Sequence, residues 1–154
     1  MKLKKSGKDD ALFYLVDHKI PREVIDIDRI YPTLIDYVND SIGFRMSPEI
    51  VLFYSDNFYG TCDAISWNNY ILRISDLKTG VTPASFMQLE NYAAFFCLDY
   101  KVKPNEIKKL EFRIYQNNEI NIAEPDPEII FPIIEQIVDF NKALLDFRSG
   151  VDYY

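Results

Sequence analysis

The chain is poor in the residues that mark specialised protein classes. It has two cysteines, Cys62 and Cys97, too few for a disulfide framework and without metal-ligand spacing. They read as reduced core thiols of a cytoplasmic protein. Only five glycines occur, with no Gly/Ser linker, internal repeat or low-complexity tract. Long hydrophobic runs are also missing. The longest uncharged apolar stretch, Tyr92-Ala-Ala-Phe-Phe-Cys-Leu98, falls far short of the ~18–20 residues of a spanning helix, so no membrane partner is expected. Residues 1–8 carry four lysines but no apolar segment that would make them a signal peptide. Positive charge is scarce: 17 Lys+Arg against 24 Asp+Glu give −7, which argues against tight, non-specific nucleic-acid binding. The distribution is uneven, however. Lys101, Lys103, Lys108, Lys109 and Arg113 outnumber Asp99, Glu106 and Glu111, which leaves room for local phosphate contacts.

What the chain does have is a globular composition: 48% hydrophobic, 27% charged, with eleven Tyr and eleven Phe. Its 154 residues fit a single domain over 1–154, at the usual length of ~150. Ala11–Val16 suggests a short helix ending before Pro21. Ile30, Leu34, Val38 and Ile42 recur every fourth residue and predict a helix over about 30–41, with Gly43 to end it. The period then changes. Glu49–Tyr54, Phe58–Trp67 and Tyr70–Lys78, joined by Ser55-Asp56-Asn57 and an Asn68-Asn69 turn, read as an antiparallel meander. Helical spacing returns over about 84–100, through Phe86, Leu89, Ala93, Phe96 and Cys97. Leu110–Tyr115 and Ile120–Ile122 bracket Asn117-Asn118 as a hairpin. Pro125-Asp-Pro127 opens a last helix with Ile130, Ile133, Ile134, Ile137, Leu144 and Phe147 on its apolar face. A meander flanked by helices indicates a mixed α/β (α+β) fold.

Asp76 and Lys78 are two apart on a predicted strand, so both leave the face that Ile74 shares. Charges beside an apolar surface cost free energy unless paired or bound to something. Asp63, on the preceding strand, shares a face with Thr61 and Ile65, and meets Asp76 only if the strand register allows it. Two carboxylates and a lysine at a strand edge suit metal-assisted phosphodiester hydrolysis. Hard oxygen ligands hold Mg²⁺ or Mn²⁺, the ion activates a water and clamps phosphate oxygens, and Lys78 neutralises developing charge. The plainer alternative is an Asp76–Lys78 surface ion pair beside an unrelated Asp63.

Gly60-Thr-Cys-Asp63, Ile74-Ser-Asp-Leu-Lys-Thr-Gly80 and Gln88-Leu-Glu-Asn-Tyr92, in that order, resemble the RecB-type branch of the PD-(D/E)XK nucleases, which includes phage exonucleases similar to lambda exonuclease. The pattern is a Gly and an Asp on one strand, (D/E)-x-K-(T/S)-G on the next, then a Q-x-x-x-Y helix. The resemblance covers about residues 36–115. It implies a restriction-endonuclease-like core, a central mixed sheet whose three-strand meander is flanked by helices. It also implies Asp63 as bridging metal ligand, Asp76 and the Leu77 carbonyl as further ligands, and Lys78 as the catalytic lysine. Gln88 and Tyr92, i and i+4 on one helical face, would position Lys78 or a phosphate; a polar cap and a core tyrosine are the alternative. Thr61 and Thr79 are candidate phosphate contacts, with a sheet-face threonine the plainer role for Thr61. For the family's upstream acid the candidates are Asp40 first, then Asp36, with Glu49 at the start of the meander. His18, the sole histidine, is the alternative to an acid.

The activity so implied is a Mg²⁺- or Mn²⁺-dependent DNA exonuclease of phage-type recombination, repair or replication, in the host cytoplasm if phage-encoded. Its partners would be DNA, further copies of itself and a single-strand annealing or replication protein. A non-catalytic scaffold or DNA-end-binding subunit, and a structure-selective endonuclease, are the alternatives.

Overall fold

A computed structural model describes residues 27–150; the Ala11–Val16 helix and His18 lie outside the described residues. The elements are α1 (Ile27–Gly43), β1 (Ser47–Ser55), β2 (Phe58–Asn68), β3 (Ile71–Leu77), α2 (Met87–Tyr100), β4 (Lys109–Gln116), β5 (Glu119–Ala123) and α3 (Ile130–Arg148). Short 3₁₀ turns at Pro104–Glu106 and Pro127–Ile129 precede β4 and α3.

The five strands form one sheet in the order β1-β2-β3-β4-β5. β1–β2, β2–β3 and β4–β5 pair antiparallel, whereas β3 and β4 are parallel. Parallel neighbours need a crossover, and α2 supplies it. β3 is thereby the middle strand. The two-residue turns explain the hairpins. Asn69 and Tyr70, and later Asn117 and Asn118, all take positive φ, the conformation of a type I′ turn that matches strand twist. The first turn falls one residue later than the sequence suggests, because Asn68 still pairs with Ile71.

Helices cover both faces. On one, Leu34, Ile35, Tyr37 and Val38 of α1 pack with Ala64 and Tyr115. On the other, Leu89, Ala93 and Phe96 of α2, with Ile130 and Ile137 of α3, meet Leu52, Cys62, Ile65, Leu72, Ile74 and Phe112. Each fully buried Leu, Ile or Phe contributes ~1.5–3 kcal/mol relative to exposure, so this second core carries most of the packing. It is a mixed α/β sheet flanked by helices, as the sequence indicates.

Two details differ from expectation. Gly43 ends α1, but the left-handed residue is Arg45 (φ 54). Arg45 and Met46 N–H groups donate to the Ile42 and Ser41 carbonyls, the two bonds of a Schellman cap. The apolar face of α3 also stops early. Ile130 and Ile137 are buried, yet Phe147 is 76% exposed, and the inward residue between Ile137 and Phe147 is the polar Asn141, which accepts from the Ser55 hydroxyl at 2.7 Å.

Candidate active site

The β2–β3 register pairs Ala64 with Ser75 and Ile65 with Ile74, so one step further sets Asp63 opposite Asp76. Alternation slips at this point in β2. Gly60 faces α2, Cys62 enters the α2-side core, and Ile65 enters it too. Ala64 belongs to the α1-side core, so Cys62 and Asp63 both lean toward α2. Across from Asp63, between the paired residues Pro48 and Ile50, Glu49 is exposed with φ 51. Such irregularities re-aim side chains near functional sites. The Tyr37 hydroxyl of α1 fastens this point by donating to the Asp63 carbonyl at 3.1 Å.

The slip separates Asp63 from Thr61. Thr61 is exposed, pairs with Val51, and alternates with Gly60 onto the face away from α2. It is a sheet-face threonine and not a phosphate contact beside the carboxylates.

Asp76 is 6% exposed, which excludes a plain surface ion pair. Its Oδ2 lies 3.0 Å from Lys78 Nζ. Asp63 Oδ2 accepts from the Leu77 N–H at 2.8 Å. Burial, and then a hydrogen bond with the Asp76 carboxyl, push Asp63 up to about 6. Two acids thus meet where one ammonium serves both, and the hydrogen bond to Asp76 leads the influences that raise Lys78.

α2 extends the chain of contacts. Lys78 Nζ donates to Gln88 Oε1 at 3.0 Å, and Gln88 Nε2 donates to the Tyr92 hydroxyl at 2.7 Å. Since that oxygen accepts, its own O–H remains a donor. Burial raises the Tyr92 phenol above its usual range. The ring lies over Gly60, where an added Cβ would stand 2.6 Å from Tyr92 Cε1. The glycine is needed for that close approach.

Gln116 is a site-supporting residue that sequence reading missed. It is buried, and its Nε2 donates to the Gly80 and Thr82 carbonyls at 2.8 Å each. Its Oε1 accepts from Ala84 N–H at 3.3 Å. These bonds clamp the segment joining Lys78 to α2. A glutamine closing the predicted strand Leu110–Tyr115 was the available signal. Thr79 begins that segment and is exposed.

The upstream acid is a correction. Asp40 accepts from the Tyr115 hydroxyl at 2.8 Å, and Arg113 lies 3.4 Å away. Both partners belong to the α1 side of the sheet, so Asp40 is turned from the Asp63–Asp76 pair. Asp36 lies half-buried one turn earlier on the same helix. Among the described residues, no group of three or more His, Cys, Asp or Glu that could hold a metal ion is formed. The two carboxylates nonetheless offer the hard oxygen donors that suit a divalent ion. The remaining ligands would be waters, backbone and substrate oxygens. Cys62 and Cys97 are buried free thiols, and burial pushes them up to about 11 and about 12, as inert core residues require.

The sequence matches no protein-family model and no curated protein. Among solved structures the chain is similar to one described as "Crystal structure of SSO0001", at 14% identity, covering 85% of this chain and 70% of that one with a TM-score of 0.40. No helix among the described residues is long and apolar enough to cross a membrane.

Proposed function

We propose that the protein is a Mg²⁺- or Mn²⁺-dependent deoxyribonuclease of the RecB-type PD-(D/E)XK family, acting as an exonuclease in phage-type recombination, repair or replication. The observation that carries this reading is the meeting of Asp63, Asp76 and Lys78 beside Gln88 and Tyr92. Asp63, Asp76 and the Leu77 carbonyl would hold the ion. When bound, it supplies Lewis-acid polarisation of a phosphate oxygen and a more acidic water. Lys78, held between Asp76 and Gln88, offers a positive charge where the phosphate gains negative charge. Tyr92, held by Gln88, presents its hydroxyl as a further donor. Gly60 and Gln116 keep these groups in place, and Thr79, exposed two residues beyond β3, is a candidate phosphate contact.

The test is incubation of linear duplex with Mn²⁺. Nucleotide release by wild type and none by Lys78→Ala supports the reading. Cutting of closed circles replaces the exonuclease with an endonuclease. A lack of release from any end structure favours a non-catalytic, DNA-end-binding subunit, to which the net charge of −7 lends some weight. Ligand assignment has its own measurement: Mn²⁺ should raise the melting temperature of wild type more than that of Asp76→Ala, by linkage. Equal shifts would remove Asp76 from the site. Assembly with further copies is part of the proposal, and sedimentation as a strict monomer would count against it.

A further inference from the structure

A concavity of about 300 Å³ opens between the C-terminal end of α2, the start of β1 and the end of β2. Its wall is aromatic. Phe96 lies 5.5 Å from Trp67 and 5.0 Å from Tyr100, the latter pair stacked at 29°. Tyr100 is 55% exposed, so an outer ring face is open to a further flat partner. Ser47, Asn68 and Arg45 form the polar part of the lining. Arg45 is exposed and makes no ion pair among the described residues. Ile65 also lines it, two residues beyond Asp63 on the same side of β2. At ~3.4 Å per strand residue, Trp67 is ~14 Å from Asp63. A stacked nucleic-acid strand rises ~3.4 Å per nucleotide, so this is a few nucleotides from the carboxylates.

We infer that this cleft is a base-binding subsite that takes an unstacked nucleobase of a single-stranded DNA segment, with Arg45 on the adjoining phosphate. Aromatic faces bind bases without regard to sequence, and a neighbouring cation tracks the backbone. Amide and hydroxyl groups on the rim meet the edge of the base. The inference rests on the nuclease reading for its choice of ligand, and it narrows that reading to a strand whose bases are open near the site.

Trp67 is the only tryptophan of the chain, so its emission reports on the cleft. The full chain, with EDTA present to prevent hydrolysis, is titrated with a single-stranded oligothymidylate. The expected result is saturable quenching, absent with an abasic chain of equal phosphate number. Tyr100→Ala should weaken binding about tenfold, within the range for one stacked base, and Arg45→Gln should reduce its salt dependence. Unchanged emission, equal binding by wild type and Tyr100→Ala, or equal quenching by the abasic chain would overturn the subsite. Nucleotide release with Mn²⁺ is measured in parallel. Release without quenching sinks the subsite alone. Quenching without release keeps the subsite and removes the hydrolytic reading.

Discussion

The two faces of the sheet each bury a carboxylate, and they resolve its charge differently. On the α1 face, Glu111 is 3% exposed and sits between two arginines. Arg73 Nε is 2.8 Å away, Arg113 bonds the same oxygen, and Lys109 approaches at 3.5 Å. Burial raises Glu111, but the hydrogen bonds from Arg73 and Arg113 outweigh it and hold the carboxyl down at about 2. Both guanidinium groups lie over the Phe44 ring, at 3.8 and 4.6 Å, and Asp40 takes the remaining charge of Arg113. On the α2 face, two carboxylates share one ammonium, and Asp63 is pushed up to about 6. With Glu124 on Lys109 at 3.1 Å, the α1-side network sets three carboxylates against three cations and is neutral within itself. The other is short of positive charge, which the proposed cation would supply.

Four experiments break or sharpen that contrast. The largest effect is on rate: Lys78→Ala should cut nucleotide release ~10²–10³-fold, the usual worth of one electrostatic stabiliser, with a smaller fall in melting temperature than Glu111→Gln causes. An inactive but also unfolded variant would assign Lys78 to the structural class. Next, Glu111→Gln should destabilise the fold by ~3 kcal/mol in urea titration, the lower end for breaking a buried pair, because it strands two half-buried arginines. A loss below ~1 kcal/mol, the value of a surface pair, would erase the distinction. Gly60→Ala should cost ~1–3 kcal/mol from overpacking against Tyr92, and should lower release because the ring carries the hydroxyl that Gln88 holds. Retained activity would show that Tyr92 is only core.

The smallest effect is on pH. Asp63 has a raised folded pKa, so its contribution is fully present below the unfolded value near 4 and is lost as pH rises through about 6. Asp63→Asn, measured without divalent ions, should remove that loss and gain ~1–2 kcal/mol near pH 7, after allowance for partial exposure. Glu111 has the opposite sign. Its contribution is present above the unfolded value near 4.5 and is lost as pH falls toward about 2. If wild type and Asp63→Asn show the same profile between pH 4 and 7, the paired carboxylates are not where the contrast lies.

Local rules carried much of this from sequence. The Asn117-Asn118 turn, the meander and the helices before and after it follow from turn chemistry and periodicity. So does the common face of Ile74 and Asp76. Periodicity does not say which face of a sheet a helix covers. Asp36 and Asp40 share a side of α1, but α1 packs away from α2, and Asp40 went to Arg113 and Tyr115. Strict alternation put Thr61 beside Asp63; the slip opposite Glu49 parts them, and it depends on strand pairing no short window contains. Gln116 was missed for a like reason, since its three bonds reach 32 to 36 residues back along the chain. The overlong α3 face came from counting apolar residues without knowing that Asn141 meets Ser55.

β3 has a neighbour on each side, and it bears Asp76 and leads directly into Lys78. Fraying of an edge strand leaves the backbone of Asp76 and Lys78 paired with β4. Heat inactivation should therefore track global melting, with no inactive yet folded species appearing first, and hydrogen–deuterium exchange at Ser75 and Asp76 should be among the slowest in the chain.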